Sequence, residues 1–578
     1  MWPVKSLRGP DGLPDMEALI QAGGLMSSGH GVGSFVLVDA VTANTPSGTL
    51  TSLYSTNSTA FLLQNVEFYN IEKAIMAERR ADPILAGGGN DVLIDAWGFG
   101  LYAQDADPYF LQQRDIQLFT RRRPQYADIG HSQVFDVTSH GAKGDGVTDD
   151  TINLNSVFTV AVNLSSIVYI PHGVYKVTDT LKIPKGSRII GQAWSQIMAT
   201  GPKFQDADDP HVAVQVPPLE LSWWNEISMN LARGRQDYGV SFLSSTYSHF
   251  RVGGAKGSHL QASECPKKQF PLIKQAYIAA SLLLRITSSA SAYLENVWAW
   301  TADHDLDVKS QDPIDVFSAR GILVESHGPT WMYGTASEHN VLYQYQLPGA
   351  QKIVMGMIQT ETPYFQPLPA APEPFKPGQF PNDPVFTNCG NSIAGCAMAW
   401  AVRIINSSTV YILGSGLYSW LAFYTQDCLE TGHCQEQGFY VEQSTNTWVY
   451  NLVTKGITES ISPAGETPLY ARDVQNGYTS SLLAWLHTGT GAIGKRKFPG
   501  FYLWDDAINE FTVVRSISDM PHSELCSYCY VTRYKMMQAT PYSIYDKTYQ
   551  SDLEFIHSKC GLSGPTSILP PLQEFPDP

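Results

Sequence analysis

Residues 134–151 read VFDVTSHGAKGDGVTDDT, and residues 168–192 read VYIPHGVYKVTDTLKIPKGSRIIGQ. The first stretch opens with a short apolar run and passes into a Gly/Asp loop. Gly141, Gly144 and Gly146 allow tight backbone turns there. A short helix is predicted over 150–162, with Asp149, Asp150 and Thr151 available to cap it. The second stretch predicts three strands, Ile167–Ile170, Gly173–Val177 and 181–183, separated at Pro171, Gly173, Pro184 and Gly186. A helix followed by closely spaced short strands fits a stack whose exposed end the helix covers. Asp145, Asp149 and Asp150 then serve the loop and the helix end, and no metal is expected on them.

Working outward, the same strand-and-corner format recurs. GVGSFVLVDAVTANTPSG (31–48), FLLQNVEFYNIEKAIM (61–76) and NDVLIDAWGFGLY (90–102) each place four to six strand residues before Asn, Asp or Gly. Strands recurring every roughly 20–30 residues suggest the rungs of a parallel β-helix. Residues 104–132 are charged, lack the pattern and read as a connector. Further strand-turn units run on to Trp485, and 488–578, with CSYCY and a Pro-rich end, read as an appendage. The fold expected is all-β, a right-handed parallel β-helix. Its parts are the last rungs of a first stack (1–103), a connector (104–132), a complete second stack (133–487) and the appendage.

Charged residues make up 16% of the 578, below the roughly 25% of ordinary soluble domains. Gly, Pro, Tyr and small polar residues take their place, which favours strands and turns. A net charge of −16 speaks against a nucleic-acid partner and against anionic membranes, and leaves a neutral sugar polymer compatible. No run of 18 apolar residues predicts a membrane span, and the opening MWPVKSLRGPDG has no signal-type apolar core. Cys389 with Cys396 and Cys428 with Cys434 read as loop-closing disulfides or reduced structural thiols. Cys526 and Cys529 form a CxxC, with Cys265 and Cys560 left over.

The 134–192 stretch resembles the opening of a pectate-lyase-like right-handed β-helix. VWAWTADHDLD (297–307), YGTASEHNVLYQYQ (333–346) and GMIQTETPYFQP (356–367) narrow the resemblance to glycoside hydrolase family 55. GGAKGSHLQ (253–261), GSGLYSW (414–420) and YNLVTKG (450–456) support it. That family comprises largely fungal β-1,3-glucanases of two tandem β-helices. The resemblance implies an inverting hydrolase acting on β-1,3-glucan from chain ends, without cofactor, as an extracellular or cell-wall monomer.

Glycoside hydrolysis needs a carboxylic acid to protonate the leaving oxygen and a positioned water. Glu338 and Glu361 stand about one rung apart, so matching rung positions put their carboxylates within roughly 5–8 Å. The resemblance implies that Glu361 is the general acid and that Glu338 helps position the water. Trp300 is expected to stack a pyranose ring and Asp303 to accept sugar hydroxyls. Tyr364 joins them if a turn at Pro363 brings it back to that side, and Trp298 and Trp300 share a face by alternation. His304 and His339 are possible hydrogen-bond partners.

The family pattern has a GAKGDG-type opening in each helix, whereas this chain has one. Only the last rungs of a first helix are expected before residue 104. The chain is therefore expected to be weakly active or inactive as given, either a truncated piece or a natural variant. The alternative function is a non-catalytic cell-wall glucan-binding β-helix. The region around 535–565 faintly resembles sequence beside LysM chitin-binding modules.

Overall fold

The computed structural model describes residues 18–22, 34–51, 60–77, 82–88, 92–99, 126, 129–192, 195–206, 209–216, 225–228, 241–244, 278–303, 316–386, 396–476, 479–487, 501–505, 510–514, 525–526 and 547–566. They fall into two compact units, one chiefly 118–491, the other 3–117 with 492–578. The C-terminal segment thus groups with the N-terminal one, although its composition sets it apart in the sequence.

In the smaller unit, Ala18–Ala22, Ser47–Thr51 and Ile71–Ala77 pair in parallel. Ser34–Ala43 pairs in parallel with Ala60–Tyr69, Ser34 opposite Ala60. One rung is therefore one circuit of chain. Asn44 and Asn70 occupy the same corner of successive rungs, both at positive φ, with their side-chain amides bonded at 3.0 Å. Asn tolerates that left-handed corner better than most residues. The stretch expected as a third rung behaves differently: Leu85–Gly88 and Val92–Phe99 run antiparallel to the strands they join. A reversed strand still satisfies the last rung's ladder groups.

In the larger unit, α1 (Thr151–Asn163) turns Leu154, Val157, Phe158 and Ala161 inward. The strands at Ile167–Ile170 and Gly173–Val177 fall where the sequence predicts them, and the third is Leu181–Lys182. From there two long sheets, of 17 and 11 strands among the described residues, climb in parallel register until their last, antiparallel strands. Five strands of the larger sheet carry the site: β1 (Trp298–Thr301), β2 (Ala336–Glu338), β3 (Gln351–Glu361), β4 (Ser408–Tyr418) and β5 (Thr445–Lys455). The stack ends as the smaller unit does, with Thr479–His487 reversing against β5.

The Gly/Asp loop is itself partly a strand, Asp145–Asp149, lying beside Gly173–Val177. Gly144 has φ +60, and a Cβ on it would come within 2.9 Å of the Tyr175 ring. Asp150 precedes the helix without capping it. Its carboxylate reaches back to the N–H groups of Lys143 and Gly144, at 2.7 and 3.0 Å. Asp149 instead accepts the Thr151 N–H at 3.1 Å, and Asp145 those of Val147 and Thr148. All three carboxylates are engaged in holding this loop.

Cys428 and Cys434 are disulfide-bonded, as the sequence suggests, and Cys396 is also in a disulfide. Cys526 bonds Cys560, one of the two cysteines left over, 34 residues away, rather than a CxxC neighbour. Cys265, Cys389 and Cys529 lie outside the described residues, as do His304 and residues 253–261.

Candidate active site

The register of β1 to β5 builds one ladder of side chains. Trp300 pairs with Glu338, Glu338 with Glu361, Glu361 with Tyr418, and Tyr418 with Lys455. Neighbouring strands lie about 4.8 Å apart, so two carboxylates are stacked one rung apart on one face. Alternation puts Trp298, Ala336, Gln359 and Gly416 in the parallel row two residues back. Between the rows, Ser337 and Thr360 point inward and are buried.

The two glutamates differ in environment. Glu338 is 6% exposed, whereas the Glu361 side chain retains 18%. Gln359 Nε2 donates to Glu338 Oε1 at 3.0 Å. Burial, then the Glu361 charge, pushes the Glu338 carboxyl up to about 8, against smaller opposing effects of His339, Trp298 and Gln359. Glu338 therefore keeps its proton at neutral pH, which two closely stacked carboxylates require of one member.

His339 holds the centre. Its backbone sits at φ +62, so the chain leaves β2 through a left-handed residue, and its N–H donates to the Glu361 carbonyl at 3.0 Å. The imidazole Nδ1 lies 3.0 Å from the Asp303 carboxylate, and Nε2 lies 3.5 Å from Glu361 Oε2. Burial alone lowers the imidazole, but the Asp303 charge and hydrogen bond, with help from Glu361, raise it to about 10. His339 is thus a cation between two carboxylates. Trp300 Nε1 is 3.2 Å from Nδ1. Because Nδ1 carries the proton shared with Asp303, that approach packs the ring rather than accepting the indole hydrogen.

Two expectations change here. Trp300 is completely buried and stacked on Trp298 at 4.5 Å, 9° from parallel. Its ring faces are taken up by protein, so it offers no platform to a sugar and instead walls the His339 pocket. Asp303 is 3% exposed and spends its carboxylate on His339 rather than on a sugar hydroxyl. Tyr364 does come back to the site: β3 ends at Glu361, and the turn through Pro363 sets the Tyr364 ring 4.3 Å from His339. Burial, then the charges of Glu361 and Asp303, push its phenol well above its ordinary value, so it stays a neutral donor.

The loop that carries Tyr364 is anchored at its far end. Asp383, its side chain fully buried, binds Arg320 through two oxygens, with the Arg320 Nε contact at 2.7 Å. The same carboxylate accepts the N–H groups of Gly378, Gln379 and Phe380, and Arg320 also reaches the Ser281 carbonyl at 3.0 Å. Reading the sequence residue by residue passes over Gln359, Arg320 and Asp383. Gln359 is recoverable, because it shares parity with Glu361; the Arg320–Asp383 pair spans 63 residues and leaves no local signal.

A rhamnogalacturonase A/epimerase, pectate lyase-like family model matches residues 134–215. The chain is 42% identical to "Non-secreted LysM effector LysM15" of Penicillium expansum, over 96% of this chain and 48% of that protein. It is 39% identical to "Probable glucan endo-1,3-beta-glucosidase" of Arthroderma benhamiae, over 67% of this chain and 45% of that protein. It is 31% identical to "Glucan 1,3-beta-glucosidase" of Cochliobolus carbonum, over 78% of this chain and 60% of that protein. The chain spans about half the length of the curated relatives it matches. With its stacked glutamates on a parallel β-helix, the chain is similar over two thirds or more of its own length to proteins named as glucan 1,3-β-glucosidases, and its 134–215 segment matches a pectate-lyase-like model.

Proposed function

We propose that this chain hydrolyses β-1,3-glucan from chain ends with inversion. Glu361 gives its proton to the glycosidic oxygen as the C–O bond breaks. A water, held on the opposite face with help from Glu338, forms the new bond at the anomeric carbon. The electron pair of the broken bond stays on the departing oxygen, and the proton shed by the water returns through solvent to recharge the acid. The observation that carries the hydrolytic reading is the in-register stack of Glu338 on Glu361, with Glu361 the more accessible member; inversion is taken from the family resemblance and requires the two carboxyl groups to splay beyond the bare rung spacing. The pair shares one proton, which burial holds on Glu338 in the resting protein, so Glu361 takes up a proton, from solvent or from Glu338, before it acts as the acid. Glu338, kept neutral by burial, suits orienting a water better than abstracting its proton. His339 and Asp303 act through Glu361 as positioning residues.

The substrate is proposed as a neutral β-1,3-glucan, without cofactor, taken by a monomer. The disulfides at Cys428–Cys434 and Cys526–Cys560 fit an oxidising compartment, in keeping with an extracellular or cell-wall location. A binding-only role is the second reading; two of the relatives are named as LysM effectors rather than as glucosidases. Incubating the chain and its Glu361→Gln variant with laminarin, and following glucose by proton NMR, separates the two. Hydrolysis with inversion gives α-glucose first; the binding-only role gives retention on a laminarin gel and no glucose.

A further inference from the structure

Beyond Glu361 the ladder continues into aromatic residues that the hydrolytic step does not use. Tyr418, the register partner of Glu361, has its ring 5.0 Å from that of Trp420. The chain then makes a tight reversal. Ala422 and Thr425 exchange both backbone hydrogen bonds, at 3.0 and 2.9 Å, and form a bridge. The two residues between them, Phe423 and Tyr424, both have left-handed φ, +56 and +60. Two-residue reversals with positive φ at both central positions strongly prefer Asn and Gly. Here two aromatic residues bear the strain.

The turn is tied to the site. Phe423 N–H donates to the Gln366 carbonyl at 3.1 Å, and Tyr424 N–H to the Tyr364 carbonyl at 2.8 Å. Tyr424 turns inward toward Phe365, whereas Phe423 is 45% exposed. A large apolar side chain shown to solvent from a strained backbone, on a turn hydrogen-bonded to the catalytic loop, has no packing explanation. Strained positions of this kind gather at binding and catalytic sites.

We propose that Phe423 is a carbohydrate-binding platform, taking a glucosyl unit of β-1,3-glucan beyond the one being cleaved, on the turn that follows Trp420 and Tyr418, the register partner of Glu361. The flat apolar face suits the C–H face of a pyranose, and a neutral polymer brings no charge to this acidic protein. This inference rests on the proposed glucan substrate.

The test is affinity electrophoresis through laminarin-containing gels, in the Glu361→Gln background so that no turnover enters. Phe423→Asn suits the left-handed turn, so folding is retained, but it removes the aromatic face. It should weaken laminarin retention at least fivefold, while Phe423→Tyr keeps it. Thermal melting of Phe423→Asn, at or above the parent's midpoint, separates loss of binding from loss of fold. Unchanged retention of Phe423→Asn, or no retention of any variant, overturns the platform. Loss of retention stands as support even where Glu361→Gln leaves hydrolysis intact, an outcome that removes only the acid assignment.

Discussion

Glu338 and Glu361 are direct register partners on β2 and β3, so the rung spacing of the β-helix itself sets the distance between the two carboxyl groups. A charge on Glu361 therefore acts on Glu338 at close range, inside a pocket that excludes most water. Replacing Glu361 by Gln removes that charge and should lower the pH at which Glu338 ionises, from about 8 in the parent. Infrared spectra of the carboxylic C=O band across a pH series measure it. An unchanged titration would show that burial alone sets the Glu338 proton.

The same proton affects stability. Glu338 ionises near its ordinary value of 4.5 when unfolded and at about 8 when folded, so the folded state holds more protons between these limits. Its contribution to stability accordingly falls as pH rises through that window. Glu338→Gln should have a flatter melting temperature than the parent between pH 5 and 8. Parallel curves for the two proteins would contradict the assignment.

His339 works in the same direction at higher pH. Its folded value of about 10 lies above the ordinary 6.5, so its stabilisation is complete below 6.5 and is lost as pH rises through 10. Asp303→Asn removes the charge that outweighs burial and should drop the imidazole by several pH units. Nitrogen-15 NMR of the histidine ring follows it. A cationic ring persisting above pH 9 in that variant would refute the pairing.

Much of this was legible in the sequence. The helix and the first three strands follow from Gly and Pro breaks between short apolar runs, and the glutamate stack follows from spacing. Trp300 and Asp303 carry the right residue types for sugar contacts, yet burial diverts both to His339. No one-dimensional pattern shows which outward rung positions a later loop will cover. The reversal of Val92–Phe99 is hidden for a related reason, since a strand's alternation is the same in either direction.

The loop anchor should matter for stability as well as for Tyr364. Asp383→Ala leaves the Arg320 guanidinium buried and unpaired, which costs about 3–5 kcal/mol for a broken buried pair. Denaturant unfolding measures this loss. A change below about 1 kcal/mol, the worth of a surface pair, would show that water replaces the carboxylate.

Glucose release from laminarin by the parent chain and by Glu361→Gln, at equal protein concentration and pH 5–6, tests the central claim most directly. The parent is expected to release α-glucose measurably. The account predicts a loss on the order of 10²–10⁴-fold in the variant, the usual contribution of a general acid. Equal rates from the two proteins would contradict it.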